Sequence, residues 1–424
     1  MGVLTGISRF RSLLSLRKGW ERGAWIFFLL AAGMAPFMAP ANIALALAAV
    51  SSLVWRWKMR KAGEAFFGPF RGHTPVLLPI GAFVAWSFVS AVFSTLPSRS
   101  LVQSKGLTTF LLIPIAAALF RHANDVDLAV DLWRISALVL MSRGFWELFR
   151  ERADLDFRLT GGLSHYMTFS GLLLPFALIF LARWLRKGGS PSNRWFDLLV
   201  AVACLTALVL SLTRSAWLGM AAGLAALFFM ARPKLLFLVP LLLAVLFVAP
   251  RGLSERALSI FDPSDGSARD RISMWKAGWE MVKDHPVTGV GPGRVKQLYP
   301  EYRQPGYVME RPGHLHNNVV MIAAETGLPS LGCYLFFLFA FFRGALPLTR
   351  GIDPRRAAIA AGAVASMVAL FVAGLFEYNF GDVEVLRVTL LLSVYPFLPV
   401  PVRSGLSAGE GASGPPQRLD PVAS

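Results

Sequence analysis

Charged residues are scarce in this chain. They make up 16% of its 424 residues, against 55% apolar residues and a mean hydropathy of +0.55. A water-soluble protein of that length needs far more polar surface to cover its core, so an assembly of soluble domains is excluded. Cysteine is scarcer still. Cys204 and Cys333 lie inside apolar runs without metal-ligand spacing, which excludes a disulfide-rich scaffold and a zinc cluster and leaves the redox compartment open. Acidic residues are outnumbered, 25 against 42 Lys and Arg, for a net charge of +17. That excess is not a nucleic-acid-binding surface, because the basic residues sit in short segments between apolar runs, the pattern of the positive-inside bias. A Walker Lys-Ser/Thr pair is missing, and so is a half-chain repeat with paired broken helices. The second absence counts against a secondary transporter for an anionic solute.

What the chain has is apolar runs. Many reach the roughly 18 residues that a helix needs to cross a bilayer. The expected fold is an all-α polytopic membrane protein with about twelve transmembrane helices and one large outer loop. A basic N-terminus (1–22) precedes nine spans within 23–250, the first starting at Ala24 and the others at 42–55, 75–94, 106–120, 127–148, 163–184, 196–212, 215–231 and 235–249. The basic start resembles a signal peptide, but its length and the immediate second run favour a retained first span. The span at 127–148 is weak, since it carries Asp131, Arg134, Arg143 and Glu147. Residues 251–316 form the one extended soluble segment, with ten Lys/Arg and eight Asp/Glu. Three spans follow within 317–402, at 317–342, 357–376 and 385–402. The tail 403–424 is rich in Gly, Ser, Pro and Ala and is expected to be disordered. Parity puts both termini inside and 251–316 outside.

Within the outer segment Ser267 is expected to cap a helix over 268–284, with Ile272, Trp275, Trp279 and Val282 on one face. That stripe packs on the membrane domain or lies at the lipid interface. Pro286 ends the helix, and Gly289-Val-Gly-Pro-Gly293 reads as a chain reversal, because no strand precedes it as a phosphate-cradling loop requires.

Chemistry is concentrated at His314-Leu315-His316-Asn317-Asn318, where the polar segment meets the next span. An imidazole at the membrane edge titrates near neutrality and suits a general base. The other reading makes His314 and His316 interfacial polar anchors. Arg214 lies between two apolar runs with almost no loop around it. It is either a snorkelling anchor or a fixed cation whose forked donors match phosphate oxygens. Arg158, in the preceding outer loop, can converge with it. The pairs Asp125/Asp127 and Asp154/Asp156 have Asp-x-Asp spacing, which occurs often by chance; no metal is assigned.

With these residues in place, the chain resembles the O-antigen ligase family, part of a group that includes O-antigen polymerases and protein O-oligosaccharyltransferases. The resemblance rests on Arg269-Asp-Arg-Ile-Ser-Met-Trp through Asp284-His-Pro-Val-Thr-Gly-Val-Gly-Pro-Gly293, on His316-Asn317 with Ala324-Glu-Thr-Gly327, on Arg214-Ser-Ala-Trp-Leu218, and on the last outer loop Glu377–Asp382. Ser330 stands where the family pattern has its final Gly. The resemblance implies a GT-C-like glycosyltransferase of the bacterial inner membrane with a periplasmic active site. It implies transfer of O-antigen from undecaprenyl diphosphate to a sugar hydroxyl of lipid A–core, inverting, and without metal, cofactor or nucleic acid. The implied site has His316 as base, Arg214 and Arg158 on the diphosphate, and Asn317, His314, Arg269, Arg271, Arg294 and Arg311 as substrate-binding residues. A polymerase using the same donor is the nearest alternative.

Overall fold

The computed structural model describes residues 2–61, 75–150, 158–188, 191–248, 251–260, 262, 265–303 and 312–398. Every element among them is helical. The first seven α-helices are α1 (Gly2–Ser15), α2 (Gly19–Gly33), α3 (Met38–Lys61), α4 (Leu77–Val92), α5 (Pro97–Gln103), α6 (Leu112–Leu119) and α7 (Ala123–Arg150). Four more complete the first apolar block, α8 (Tyr166–Leu185), α9 (Pro191–Leu210), α10 (Arg214–Ala231) and α11 (Leu238–Val248). The polar segment holds α12 (Arg251–Leu258), α13 (Gly266–Asp284) and α14 (Val295–Tyr302). The chain then returns to apolar helices α15 (Asn318–Leu348), α16 (Pro354–Ala373) and α17 (Val383–Val394). Backbone groups find no water in a bilayer, so helices are what these runs can form.

Seven helical segments are long and apolar enough to cross a membrane: α3, Pro97–Leu119, α8, Asn193–Leu210, α10, α15 and α16. The other five expected positions also hold helices (α2, α4, α7, α11 and α17), each shorter or more polar. The expected loop before 106 is itself helical, with α5 and a 3-10 stretch (Ser104–Leu111) leading into α6. In the last expected span α17 ends at Val394 and a 3-10 turn closes at Phe397; its remainder, 399–402, lies outside the described residues. The tail 403–424, Arg311, Asp154 and Asp156 lie outside the described residues.

Helix α8 is buried on nearly every side, by α9, α10 and α16. Small residues permit this closeness, as is usual between membrane helices. A Cβ on Gly219 would lie 2.6 Å from the Ala369 carbonyl oxygen, and one on Gly362 2.5 Å from Ile179.

One end of the bundle is tied by buried charges. Asp125 accepts from Arg17 at 2.8 Å and from the Trp25 indole at 2.9 Å. Asp197 pairs with Arg134 at 2.6 Å and Arg183 at 3.1 Å, and Asp131 with Arg9 at 3.2 Å. This network accounts for the weak span at 127–148: Asp131 and Arg134 face protein partners rather than lipid. It also engages Asp125 and Asp127, the latter 3.7 Å from both Arg183 and Arg355. Removing one member strands the others, at a cost of about 3–5 kcal/mol. Asp197→Ala is therefore expected to lower the thermal unfolding midpoint in detergent by several degrees; an unchanged midpoint would show that the network does not hold the bundle.

At the opposite end the polar segment docks. Asp265, not Ser267, caps α13, accepting from Ala268 N at 3.1 Å. The expected stripe divides: Val282 is buried, while Ile272 and Trp279 are each 42% exposed. The face that packs on α15 is Met274, Ala277, Gly278 and Met281, because Gly278 lets Val320 and Leu315 come close. The glycine-rich turn does more than reverse the chain. It lies against a break in α15 at Gly327 (φ 82°, ψ 171°), where a Cβ would fall 2.0 Å from the Val287 carbonyl oxygen. Val290 N and Gly291 N donate to the Ala324 and Glu325 carbonyls, and Leu328 N to the Pro286 carbonyl, all at 2.8 Å. Trp86 Nε1 bonds the Thr326 carbonyl at 3.1 Å. The broken helix thus has its freed backbone groups satisfied by the turn and by α4.

Candidate active site

The His-Asn-Asn stretch folds as a helix start under strain. His316 takes φ 47°, a left-handed conformation that side chains other than glycine rarely adopt. Asn317 then caps α15, its Oδ1 accepting from Val320 N at 3.0 Å and its Nδ2 donating to the Leu375 carbonyl at 2.8 Å. Asn318 bonds Asn379 Oδ1 at 2.7 Å and accepts from Phe380 N at 3.1 Å. The two asparagines pin the loop between α16 and α17 against the start of α15. Asn317, expected to bind substrate, is spent on this architecture.

That loop carries Glu377, and the pinning delivers it to the histidines. His316 Nδ1 lies 2.8 Å from Glu377 Oε2, and His314 Nε2 lies 3.3 Å from Oε1. His314 Nδ1 accepts the backbone N–H of His316 at 3.3 Å, which puts its ring proton on Nε2, facing the carboxylate. Tyr378 N also donates to Oε1, at 3.1 Å. Glu377 needs protons from both rings, so His316 carries its proton on Nδ1 and keeps the Nε2 lone pair free. Burial pushes the Glu377 carboxyl up, but the bond from His316 and the two imidazoles outweigh it and hold the group below its usual range. Burial lowers His314, with Glu377 opposing. Among the described residues, His314, His316 and Glu377 each offer one ligand atom within 4.8 Å of the others and could hold a metal ion. A metal on His314 Nε2 would require moving its proton to Nδ1, against the His316 N–H, so the hydrogen bonds favour the proton-carrying arrangement.

A cavity of about 510 Å³ opens on this cluster, lined also by His165, Thr168 and Asp382. Beyond it stand four arginines. Arg158 stacks on Tyr166, next to His165, at 4.4 Å. Arg214 is 9% exposed; its Nη1 donates to the Ser259 carbonyl and hydroxyl at 2.7 and 2.8 Å, and its Nη2 to Asp265 and Ser267 at 2.8 and 3.2 Å. Arg271 gives one bond to Ser267 Oγ at 3.1 Å, and its Nε is buried without a partner. Burial and repulsion from Arg158 and Arg214 hold Arg256 below its ordinary value. Burial likewise lowers Arg271, opposed by Glu377 and reinforced by Arg214. Arg158, Arg214 and Arg256 therefore lie within charge–charge range of one another, and Arg271 within range of Arg214 and Glu377; none of the four lines the cavity. Arg269 is exposed, and Arg294 bonds Thr95 Oγ1 at 3.2 Å, away from this group.

Residues 199–335 match the model of a family described as O-antigen ligase. The match supports the O-antigen ligase family for this chain. No curated protein matches it. The matched segment contains Arg214, Arg271, His314 and His316, and the family it matches indicates ligase- or polymerase-type activity on lipid-linked polysaccharide in a membrane. Arg158, His165 and Glu377 lie outside it. Glu377, His165 and Arg256 were not singled out in the sequence. The available signal for Glu377 was parity, since the loop Glu377–Asp382 falls on the same side as His316.

Proposed function

We propose that this protein is an O-antigen ligase that moves O-antigen from undecaprenyl diphosphate to a sugar hydroxyl of lipid A–core at the periplasmic face of the inner membrane. The observation that carries the reading is the Glu377–His316 bond beside the arginine group. His316 Nε2 takes the acceptor hydroxyl proton as the oxygen attacks the anomeric carbon. The new C–O bond forms on the face opposite the diphosphate, whose own C–O bond breaks, so the configuration inverts. The electron pair leaves with undecaprenyl diphosphate. Arg271 and Arg158 offer donors to the phosphate oxygens as charge builds there, and Arg214 adds its field from behind while ordering the loop. Glu377 balances the charge that His316 acquires.

Purified protein in liposomes, given lipid-linked O-antigen and lipid A–core, is expected to yield the covalent conjugate. Lengthening of the lipid-linked glycan instead would make it a polymerase, and solute flux without product a transporter. Because the proton and the leaving group are both served by side chains, transfer is expected to continue at the same rate in excess EDTA. Loss of activity restored by Mg²⁺ or Mn²⁺ would overturn the metal-free mechanism.

A further inference from the structure

His165 lines the same cavity as His316 and Glu377. It stands at the N-cap of α8, where its Nδ1 accepts the Met167 backbone N–H at 3.2 Å. A ring nitrogen that accepts carries no proton, so the proton of the neutral imidazole is on Nε2. Partial burial lowers the His165 pKa, opposed by Glu377 and reinforced by His316 and Arg158, and the ring stays neutral near pH 7. The Tyr166 ring, with its centroid 4.2 Å away, packs beside the imidazole. With Nδ1 turned to the backbone of α8, Nε2 lies on the far side of the ring and has no hydrogen-bond partner among the described residues.

The other polar side chains of that wall are spent on protein partners. His314 uses one nitrogen on Glu377 and the other on the His316 backbone N–H. Asp382 caps α17 and accepts from the Thr168 hydroxyl. Asn379 bonds Asn318 at 2.7 Å and the Leu370 carbonyl at 2.9 Å. Apart from the Tyr378 hydroxyl, what remains for a ligand is one acceptor, the His316 Nε2 lone pair, and one donor, the His165 Nε2–H. Among the described residues no Lys or Arg lines the cavity, while the carboxylates of Glu377 and Asp382 do. A neutral sugar suits such a wall, because each of its hydroxyls both donates and accepts. We propose that His165 is a further substrate-binding residue of the transfer: its Nε2–H donates to one oxygen of the acceptor sugar while a hydroxyl of the same sugar gives its proton to His316 Nε2. The second contact keeps the sugar turned with that hydroxyl toward the base. The assignment rests on the functional reading above for the identity of the acceptor.

Two variants separate this role from capping. His165→Asn keeps an acceptor for Met167 N, since Asn is a favoured N-cap, but its short amide does not reach the position of Nε2. His165→Gln places an amide N–H₂ near that position and gives up the cap. Transfer kinetics in liposomes, with each substrate varied in turn, and the unfolding midpoint are measured for both. His165→Asn is expected to raise the KM for lipid A–core about 10-fold, the loss of one hydrogen bond, and to leave the KM for lipid-linked O-antigen and the midpoint as in wild type. His165→Gln should recover most of the acceptor KM while lowering the midpoint. A purely structural His165 gives the reverse order, with Asn harmless and Gln harmful. An unchanged acceptor KM in His165→Asn, an equal rise for both substrates, or a Gln variant no better than Asn overturns the proposal alone. If wild-type protein forms no conjugate, the ligase reading has failed and the proposal falls with it.

Discussion

His316→Ala is expected to lower the rate of glycan transfer about 10²- to 10⁴-fold, the range for removing a positioned general base. The protein should still fold, because Asn317 and Asn318 make the contacts that join α15 to the Glu377 loop. Glu377→Gln is expected to lower the rate as well, since an amide can accept from one ring only by turning its own N–H₂ toward the other. His316 would then lose the partner that fixes its proton on Nδ1, and the wrong tautomer would face the acceptor. The two substitutions act on one unit, so the double variant should be little worse than His316→Ala alone. Steady-state transfer to lipid A–core checks this. A normal rate in His316→Ala removes His316 from the chemistry, and additive losses in the double variant would separate Glu377 from it.

The helices were legible because an apolar run admits little else in lipid. Length, the absence of breakers and the flanking Lys and Arg locate α8, α10 and α16 to within about three residues, whereas α3 and α15 run on about six residues past their expected ends. The break at Gly327 was not legible, since a glycine in an apolar helix serves equally as a packing notch. Only the turn at 286–293, brought alongside by the fold, shows that the helix opens there. The cap of α13 was misplaced for a local reason. Asp265 and Ser267 are both good caps two residues apart, and the fold gives the serine hydroxyl to Arg214 and Arg271 instead. In the site, His316 and Arg214 stood out because each is a polar residue where apolar ones are the rule. Glu377 did not, because its meaning depends on a contact 61 residues away.

Arg271→Ala is expected to lower transfer about 10²- to 10³-fold, as loss of one donor to developing negative charge does, without lowering the unfolding midpoint. Its guanidinium has a single side-chain bond and a buried Nε with no partner, so little of the fold depends on it. Arg214→Ala should cost both activity and stability, because Arg214 ties the start of α10 to Ser259, Asp265 and Ser267. Its effect on rate therefore does not by itself reveal whether it meets the diphosphate. Asp265→Ala separates the two roles. The Arg214 bond holds the Asp265 carboxyl below its ordinary range, against the opposing effect of burial; the pair therefore adds stability above the normal carboxylate pKa and loses it as pH falls through the lowered value. Breaking the pair from the aspartate side removes the same tie but leaves the cation in the site, now freer to reach phosphate. If Arg214 acts on the leaving group, Asp265→Ala should destabilise the loop as Arg214→Ala does, yet keep most of the transfer rate measured at a temperature where both variants are folded. If the two variants lose rate equally, Arg214 is a structural clamp, and Arg158 and Arg271 are left to neutralise the diphosphate.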